Sequence, residues 1–348
     1  MRSKSLHYMP ALDGLRALSV AIVFAIHAFP QASFPGGLGV DVFFVISGFL
    51  ITRILLKELR TTGGIDLKAF YIKRALRLYP ALLAMSLAFL AAFFMFRRGI
   101  PFEELAFTGI AVAYLSNIWM TVSGEYIGHL THTWSLAMEE QFYIIWPAML
   151  LLLVKSRIPR TWVVVLVAAL SLASLIGWAV IGSEQPYNPL TKAGGLLAGC
   201  VTACLVERRP WQSTKLAYVA LAVFVAVFAA ETFGLVTREF SLPVVSLTLP
   251  FLILHAAFGQ SFLVRALSAK WLVHLGVISY GLYLWHYPVF SALHSFGLDG
   301  ILGTVVAAGA TYSAAWLSYR FVESPALALK DKLAPRRAPL QPVSARQS

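Results

Sequence analysis

Pro10-Ala11-Leu12-Asp13-Gly14-Leu15-Arg16-Ala17-Leu18-Ser19-Val20-Ala21-Ile22-Val23-Phe24-Ala25-Ile26-His27-Ala28-Phe29 is an apolar run that nevertheless carries Asp13, Arg16 and His27. About 20 mostly apolar residues let a helix cross the hydrocarbon core of a bilayer. The stretch therefore reads as a membrane span, and as one that holds ionisable groups. Similar runs recur near Leu38–Lys57, Leu78–Phe96, Glu104–Thr121, Ser135–Val154, Trp162–Ile181, Leu190–Val206, Leu216–Phe233, Pro243–Gly259, Trp271–His294 and Leu302–Val322. Composition agrees. Of the 348 residues 59% are hydrophobic and 13% charged, against about 25% charged in soluble domains. The mean hydropathy is +0.74. So few polar groups cannot cover a water-facing surface, so lipid is the solvent for much of the chain. The fold class expected is all-α, a polytopic integral membrane bundle of about ten transmembrane helices. Cys200 and Cys204 sit in one apolar segment and read as small fillers, not as a disulfide framework. Arg2 and Lys4 before the first run suit an uncleaved signal-anchor. Residues 1–329 read as one membrane domain. Residues 330–348, rich in Pro, Arg, Ser and Gln toward their end, read as a disordered basic cytoplasmic tail.

Positive charge orders the spans. Basic residues gather in cytoplasmic loops. If all eleven runs cross, Lys155, Arg157 and Arg160 fall outside. If Glu104–Thr121 instead enters and returns, or lies at the outer interface, ten crossings remain and both termini are cytoplasmic. That run is the weakest span, with Glu103 and Glu104 at its start and Asn117 within it. Of the 28 Lys and Arg residues, 24 then lie inside, leaving Arg97, Arg98, Lys192 and Arg238 outside. The net charge of +12 is thus mainly a topology signal, and a nucleic-acid partner is not expected.

Ionisable groups within spans mark functional sites by default. Arg16 and His27 are eleven residues apart, so they share a helix face about 16 Å apart along the axis, and Asp13 joins that stripe. Snorkelling of Arg16 to lipid phosphates and a satisfied interhelical hydrogen bond at His27 are the bland alternatives. Asp41 enters the second span at the level of His27, where a carboxylate could fix the imidazole tautomer. Ser47 and Gly48 suit close helix packing. In Asp66–Pro80, Lys73, Arg74 and Arg77 lie opposite Ile72, Leu76 and Tyr79, the pattern of an interfacial amphipathic helix that anchors to anionic lipid. The arginines could also grip phosphates with their fork geometry. In Thr131-His132-Thr133-Trp134-Ser135-Leu136-Ala137-Met138-Glu139-Glu140-Gln141-Phe142-Tyr143, Ser135, Glu139 and Phe142 share a face. Glu139 needs a partner and His27 is at a similar level, whereas Glu140 reads as a helix-dipole complement. Ser279, Tyr283 and His286 line one face of the last-but-one span, with Trp285 and Tyr287 as interface anchors.

These residues carry a family resemblance. The chain resembles the acyltransferase 3 family of membrane acyltransferases that modify surface polysaccharides, lipids and antibiotics. The likeness runs from about Tyr8 to Pro325. Its pieces, in order, are Leu12-Asp13-Gly14-Leu15-Arg16 with His27 following; Gly39-Val40-Asp41-Val42-Phe43-Phe44 with Ser47-Gly48-Phe49; Arg74 and Arg77 before Tyr79-Pro80; Trp134-Ser135-Leu136 with Glu139 and Phe142-Tyr143; Tyr283-Leu284-Trp285-His286; and Arg320-Phe321-Val322-Glu323. The resemblance implies a ten-span domain in a bacterial inner (plasma) membrane. It implies transfer of an acyl group, acetyl foremost, from cytoplasmic acyl-CoA to a hydroxyl of a glycan or glycolipid such as lipopolysaccharide. It marks Arg16 and His27 as essential and Arg74 and Arg77 as a coenzyme A contact. Many relatives carry an extra soluble hydrolase-like domain, and this chain reads as the stand-alone form.

The mechanism expected is as follows. Phosphates dock on Arg74, Arg77, Lys73 and Arg16 at the cytoplasmic mouth. The pantetheine arm reaches toward His27, and His27, oriented by Asp41 or Glu139, takes the acceptor's proton. A transient acyl-His27 is the alternative. Asp13, Ser47, Trp134, Ser135, Tyr283 and His286 are the further polar or substrate-contacting positions. Partners are acyl-CoA, the hydroxyl acceptor and membrane lipid; no metal is expected, and oligomeric state is left open. The rival reading is a transporter of lipid-linked sugars or small solutes, since buried Arg, His and Glu also mark transport paths. The spans show no paired repeat halves in its favour. A non-catalytic membrane scaffold is the third.

Overall fold

The computed structural model describes residues 8–29, 34–97, 102–156, 158–207 and 210–334. Arg2, Lys4, Arg98, Arg157, Arg208, Arg209, Arg336, Arg337 and Arg346, used above for orientation, lie outside them, as does the expected tail from residue 335 on. Among the described residues all regular structure is helical. The helices in order are α1 Pro10–Ala28, α2 Gly37–Thr62, α3 Leu67–Arg97, α4 Phe102–Val112, α5 Ser116–Ser123, α6 Trp134–Lys155, α7 Arg160–Ile181, α8 Pro189–Lys192, α9 Gly194–Val206, α10 Thr214–Thr232, α11 Arg238–Phe258, α12 Phe262–Leu267, α13 Lys270–Val277, α14 Ser279–Ser295, α15 Gly300–Ser318, α16 Ser324–Ala328 and α17 Lys330–Leu333. A 3-10 turn, Gly128–Thr133, leads into α6, and a π turn, Tyr319–Glu323, follows α15.

Nine helices among the described residues are long and apolar enough to cross a membrane, or ten if a bent pair counts as one span. The fold is therefore the polytopic α-helical membrane bundle expected. Its outer surface is apolar. Leu172, Ile176 and Val180 of α7, Leu87 and Phe94 of α3, and Ile301 and Val305 of α15 are all exposed, a surface that lipid solvates and water does not.

Two departures are local. The amphipathic segment Asp66–Pro80 is not a separate interfacial helix. It runs without a break into the third span as α3, 31 residues long and about 46 Å at 1.5 Å per residue. That exceeds a hydrocarbon core of about 30 Å, so α3 lies within it only if strongly tilted. The expected crossing Trp271–His294 is two helices, α13 and α14, divided at Ile278.

The segment 104–121 is the bent pair. α4 and α5 meet at 118°, so the chain turns back on itself. Tyr114, at φ +55°, takes a left-handed conformation that a bulky residue rarely adopts. Gln141 of α6 holds the bend. Its Nε2 donates to the Tyr114 carbonyl and to Asn117 Oδ1, both at 2.8 Å, and its Oε1 accepts from Asn117 Nδ2 at 3.1 Å. Asn117 is fully buried and needed such a partner.

Small residues seat α2 against α9. A Cβ on Gly48 would overlap the Leu196 carbonyl oxygen, and one on Gly199 the Val45 carbonyl oxygen. Cys200 fills the same seam, its Sγ 3.6 Å from the Gly48 carbonyl oxygen, and both cysteines are free and buried. Close backbone approach is how helices associate where lipid removes the hydrophobic drive.

Candidate active site

A cavity of about 410 Å3 opens between α1, α2, α3, α6 and α14, within the range of about 300–1,000 Å3 typical of ligand pockets. Its lining holds Asp13, Arg16, Arg74 and Arg77 together with Ser135, Ser279 and Tyr283. Gly276, three residues before Ser279, packs on the Asp13 carbonyl, so Ser279 lies toward the arginines, whereas Ser135 and Tyr283 bond each other beside His132. The 3.6-residue repeat puts Asp13 and Arg16 on one face of α1 and Ser135, Glu139 and Tyr143 on one face of α6. Lys73, which the sequence grouped with the arginines, is not among the lining residues.

The arginines differ in their partners. Arg74 is committed: Nη2 and Nε lie 2.9 and 3.0 Å from Glu140 Oε1, and its Cζ sits 3.7 Å from the Tyr143 ring centroid. Arg16 is 4.0 Å from Asp13 and over the Phe43 ring at 5.9 Å. Arg77 makes no ion pair among the described residues. Arg16 and Arg74 act on it as like charges; Asp13, Glu140 and Glu323 act on it from beyond ion-pair contact. Glu140, read from sequence as a dipole complement, is thus the buried counter-ion of Arg74.

Glu139 lies in this cavity and not beside His27. Its Oε1 accepts hydrogen bonds from Tyr143 OH at 2.5 Å and from Ser47, and stands 4.0 Å from Arg74. The reason is helical rise: Glu139 is one turn along α6 from Ser135, toward the arginine end. Ser47 lines the cavity, whereas Gly48 does the packing.

Asp41 is displaced from its expected role too. It is 2% exposed and bonds Arg238, with Lys192 Nζ 4.0 Å away. Lys192 is itself buried, over the Trp178 ring at 3.8 Å and the Trp134 ring at 5.6 Å. Arg238 also lies 3.6 Å from Glu231. The two cations that the sequence assigned to outer loops fold inward and neutralise Asp41, so none of this group reaches His27. Trp134 stands between that cluster and the cavity wall at Phe44, ring centroids 6.3 Å apart.

Behind Tyr283 three histidines meet. Tyr283 OH is 2.6 Å from Ser135 Oγ and donates to the His132 carbonyl at 2.8 Å. The His27 and His286 ring centroids are 5.2 Å apart, those of His132 and His286 5.4 Å, and Tyr287 lies 4.9 Å from His27 and 5.2 Å from His132. His27 and His286 therefore come together. His132 was quoted in the sequence motif but not singled out. Its position two residues before Trp134, on the turn that starts α6, was the available signal. Nearby, His129 bonds Ser291 and stands 3.7 Å from Glu104, tying α4 to α14. Despite the three rings, the described residues hold no group of three or more His, Cys, Asp or Glu side chains placed to bind a metal ion.

A family model described as an acyltransferase domain matches residues 9–320. A Staphylococcus aureus protein (SAS0844, strain MSSA476), whose O-acetyltransferase name is itself provisional, is 33% identical over 350 residues, covering 92% of this chain and 58% of its own length. The O-acetyltransferase OatA of Staphylococcus aureus (strain NCTC 8325 / PS 47) is 31% identical over 345 residues, covering 91% of this chain and 57% of its own. The chain thus spans less than two thirds of the length of the curated relatives it matches. No solved structure matches it.

Proposed function

This chain belongs to the acyltransferase 3 family, and from that premise we propose that it is a membrane O-acetyltransferase, taking acetyl from cytoplasmic acetyl-CoA to a hydroxyl of a carbohydrate or glycolipid on the outer face of a bacterial plasma membrane. The observation that carries the reading is the polarity of one cavity, with three arginines at one end and, past Ser135 and Tyr283 at the other, a histidine cluster. Phosphates of the donor dock on Arg77 and Arg16, with Arg74 holding the wall through Glu140. The thioester arm lies along the cavity toward Tyr283. His27 takes the proton from the acceptor hydroxyl, whose oxygen attacks the thioester carbonyl. The C–S bond breaks, and the proton passes to the departing thiolate. Imidazole suits this because its ordinary pKa near 6.5 lets it take and return a proton near neutrality. In this orientation both termini are cytoplasmic, and α4 and α5 form a re-entrant pair at the outer side.

Mass spectrometry of surface glycans and lipids tests the reading. A strain whose copy carries His27→Ala at equal membrane abundance should lose an acetyl increment from one species. Full acetylation in that strain would sink it.

A further inference from the structure

His132 and His286 have no part in that chemistry, yet both are buried, 5% and 1% exposed. Each gives one ring nitrogen to a backbone carbonyl. His286 Nδ1 lies 2.5 Å from the Tyr283 carbonyl oxygen, and His132 Nε2 3.1 Å from that of Leu284. A carbonyl oxygen can only accept, so the nitrogen facing it carries the proton. A neutral imidazole has one N–H, which leaves the lone pair on the other nitrogen. The two rings are therefore held in opposite tautomers, with the lone pair on Nε2 in His286 and on Nδ1 in His132. Both of those nitrogens are shut from solvent and have no hydrogen-bond partner. Buried acceptors of this kind are rare, because an unmade hydrogen bond is destabilising.

Two lone pairs cannot satisfy each other, and the hydroxyls of Tyr283 and Ser135 are already committed. Tyr283 donates to the His132 carbonyl, and Ser135 pairs with Tyr283. What completes the cluster is a ligand that brings its own hydroxyl hydrogens. We propose that His286 Nε2 and His132 Nδ1 are the hydroxyl-recognition site of the acceptor, each taking a hydrogen bond from a hydroxyl neighbouring the one that reacts at His27. The chemical class is a polyol, with hydroxyl groups on adjacent carbons, and not a lone alcohol. Entry is past Tyr287, the half-buried ring stacked on His132 at 27°. The inference rests on the acyltransferase reading, because it assigns the acceptor side of that reaction.

Substitutions can separate recognition from architecture. Asn reproduces the Nδ1 donor of histidine and Gln the Nε2 donor. His286→Asn and His132→Gln therefore keep the carbonyl bonds and delete only the lone pairs. Full-length protein in nanodiscs is given labelled acetyl-CoA, with the envelope fraction of a deletion strain titrated as acceptor. Each variant should raise the acceptor KM at least about fivefold while the acetyl-CoA KM stays unchanged. Unchanged acceptor KM in both, with losses confined to His286→Gln and His132→Asn, would mean that the rings are merely structural and would overturn the proposal. Ring-nitrogen NMR of histidine-labelled protein reads the same site without turnover. Methyl glucoside should perturb the two lone-pair nitrogens more than methanol does at equal concentration; no perturbation, or a proton already on His286 Nε2, overturns it. Absence of any wild-type transfer would count against the acyltransferase reading, and the spectra would still decide this one.

Discussion

Replacing Arg77 by Met removes the one cavity arginine that has no carboxylate in ion-pair contact. Arg16 and Arg74 act on it as like charges and Asp13, Glu140 and Glu323 as opposite ones at longer range, so no described residue makes an ion pair with it. A phosphate ligand would. A hydrogen bond to a charged group contributes about 1.5–3 kcal/mol, which is about 10- to 150-fold in affinity. Arg77→Met should therefore weaken acetyl-CoA binding by that factor while leaving the melting temperature in detergent unchanged or slightly raised. Arg74→Met is the contrast. It strands Glu140, 9% exposed and bonded at 2.9 Å, and breaking a buried pair from one side costs about 3–5 kcal/mol. It should lower the melting temperature sharply. Arg77→Lys should recover only part of the affinity, because an ammonium keeps the charge and loses the fork. Binding is read by titration of nanodisc-held protein and stability by thermal unfolding of the same preparation. Wild-type affinity in Arg77→Met would refute the donor assignment; a melting loss equal to that of Arg74→Met would make Arg77 structural.

Other outcomes follow from the same geometry. His27→Ala should cut acetyl transfer about 10²- to 10⁴-fold with acetyl-CoA affinity unchanged, measured by label incorporation beside direct binding. Asp41→Asn leaves Lys192 and Arg238 with Glu231 alone; it should cost about 3–5 kcal/mol in thermal unfolding, with normal donor affinity in the molecules that remain folded. Gly48→Leu would drive a side chain into the Leu196 carbonyl, which is backbone and cannot step aside, so folded yield should collapse in size-exclusion profiles where Gly109→Leu, with open space around it, is tolerated. Asn117→Ala removes two of the three hydrogen bonds of Gln141 and should cost about 1–3 kcal/mol, with faster proteolysis between α4 and α6.

The spans were legible because lipid leaves a long, one-dimensional mark on sequence. The 20-residue apolar runs survive any tertiary arrangement. The weak run at 104–121 was legible as weak for the same reason, since Asn117 has no place facing lipid. What pairs with what was not legible. Asp41 and Glu139 were assigned to His27 by depth alone. Depth fixes one coordinate and leaves rotation about the bundle free. Rotation sends Asp41 toward Lys192 and Arg238, and Glu139 toward Ser47, Tyr143 and Arg74. Glu140 was misread because nothing in its own segment tells which of two adjacent carboxylates meets an arginine on α3. His132 escaped because its turn looks like a loop until Leu284 and Tyr283 are brought against it. His27 and His286 were each legible as polar groups within a span, but their meeting was not, because it depends on how α1 and α14 pack.

The central claim is that donor and acceptor meet from opposite ends of one cavity. Sealed vesicles of both orientations, carrying the protein in native membrane, test it with labelled acetyl-CoA added only outside. Vesicles that expose the Arg74 and Arg77 end should incorporate label into carbohydrate or glycolipid on their inner face, and vesicles that expose the His27 end should incorporate none. Equal incorporation in both orientations, or label appearing on the face to which acetyl-CoA was added, would contradict the account.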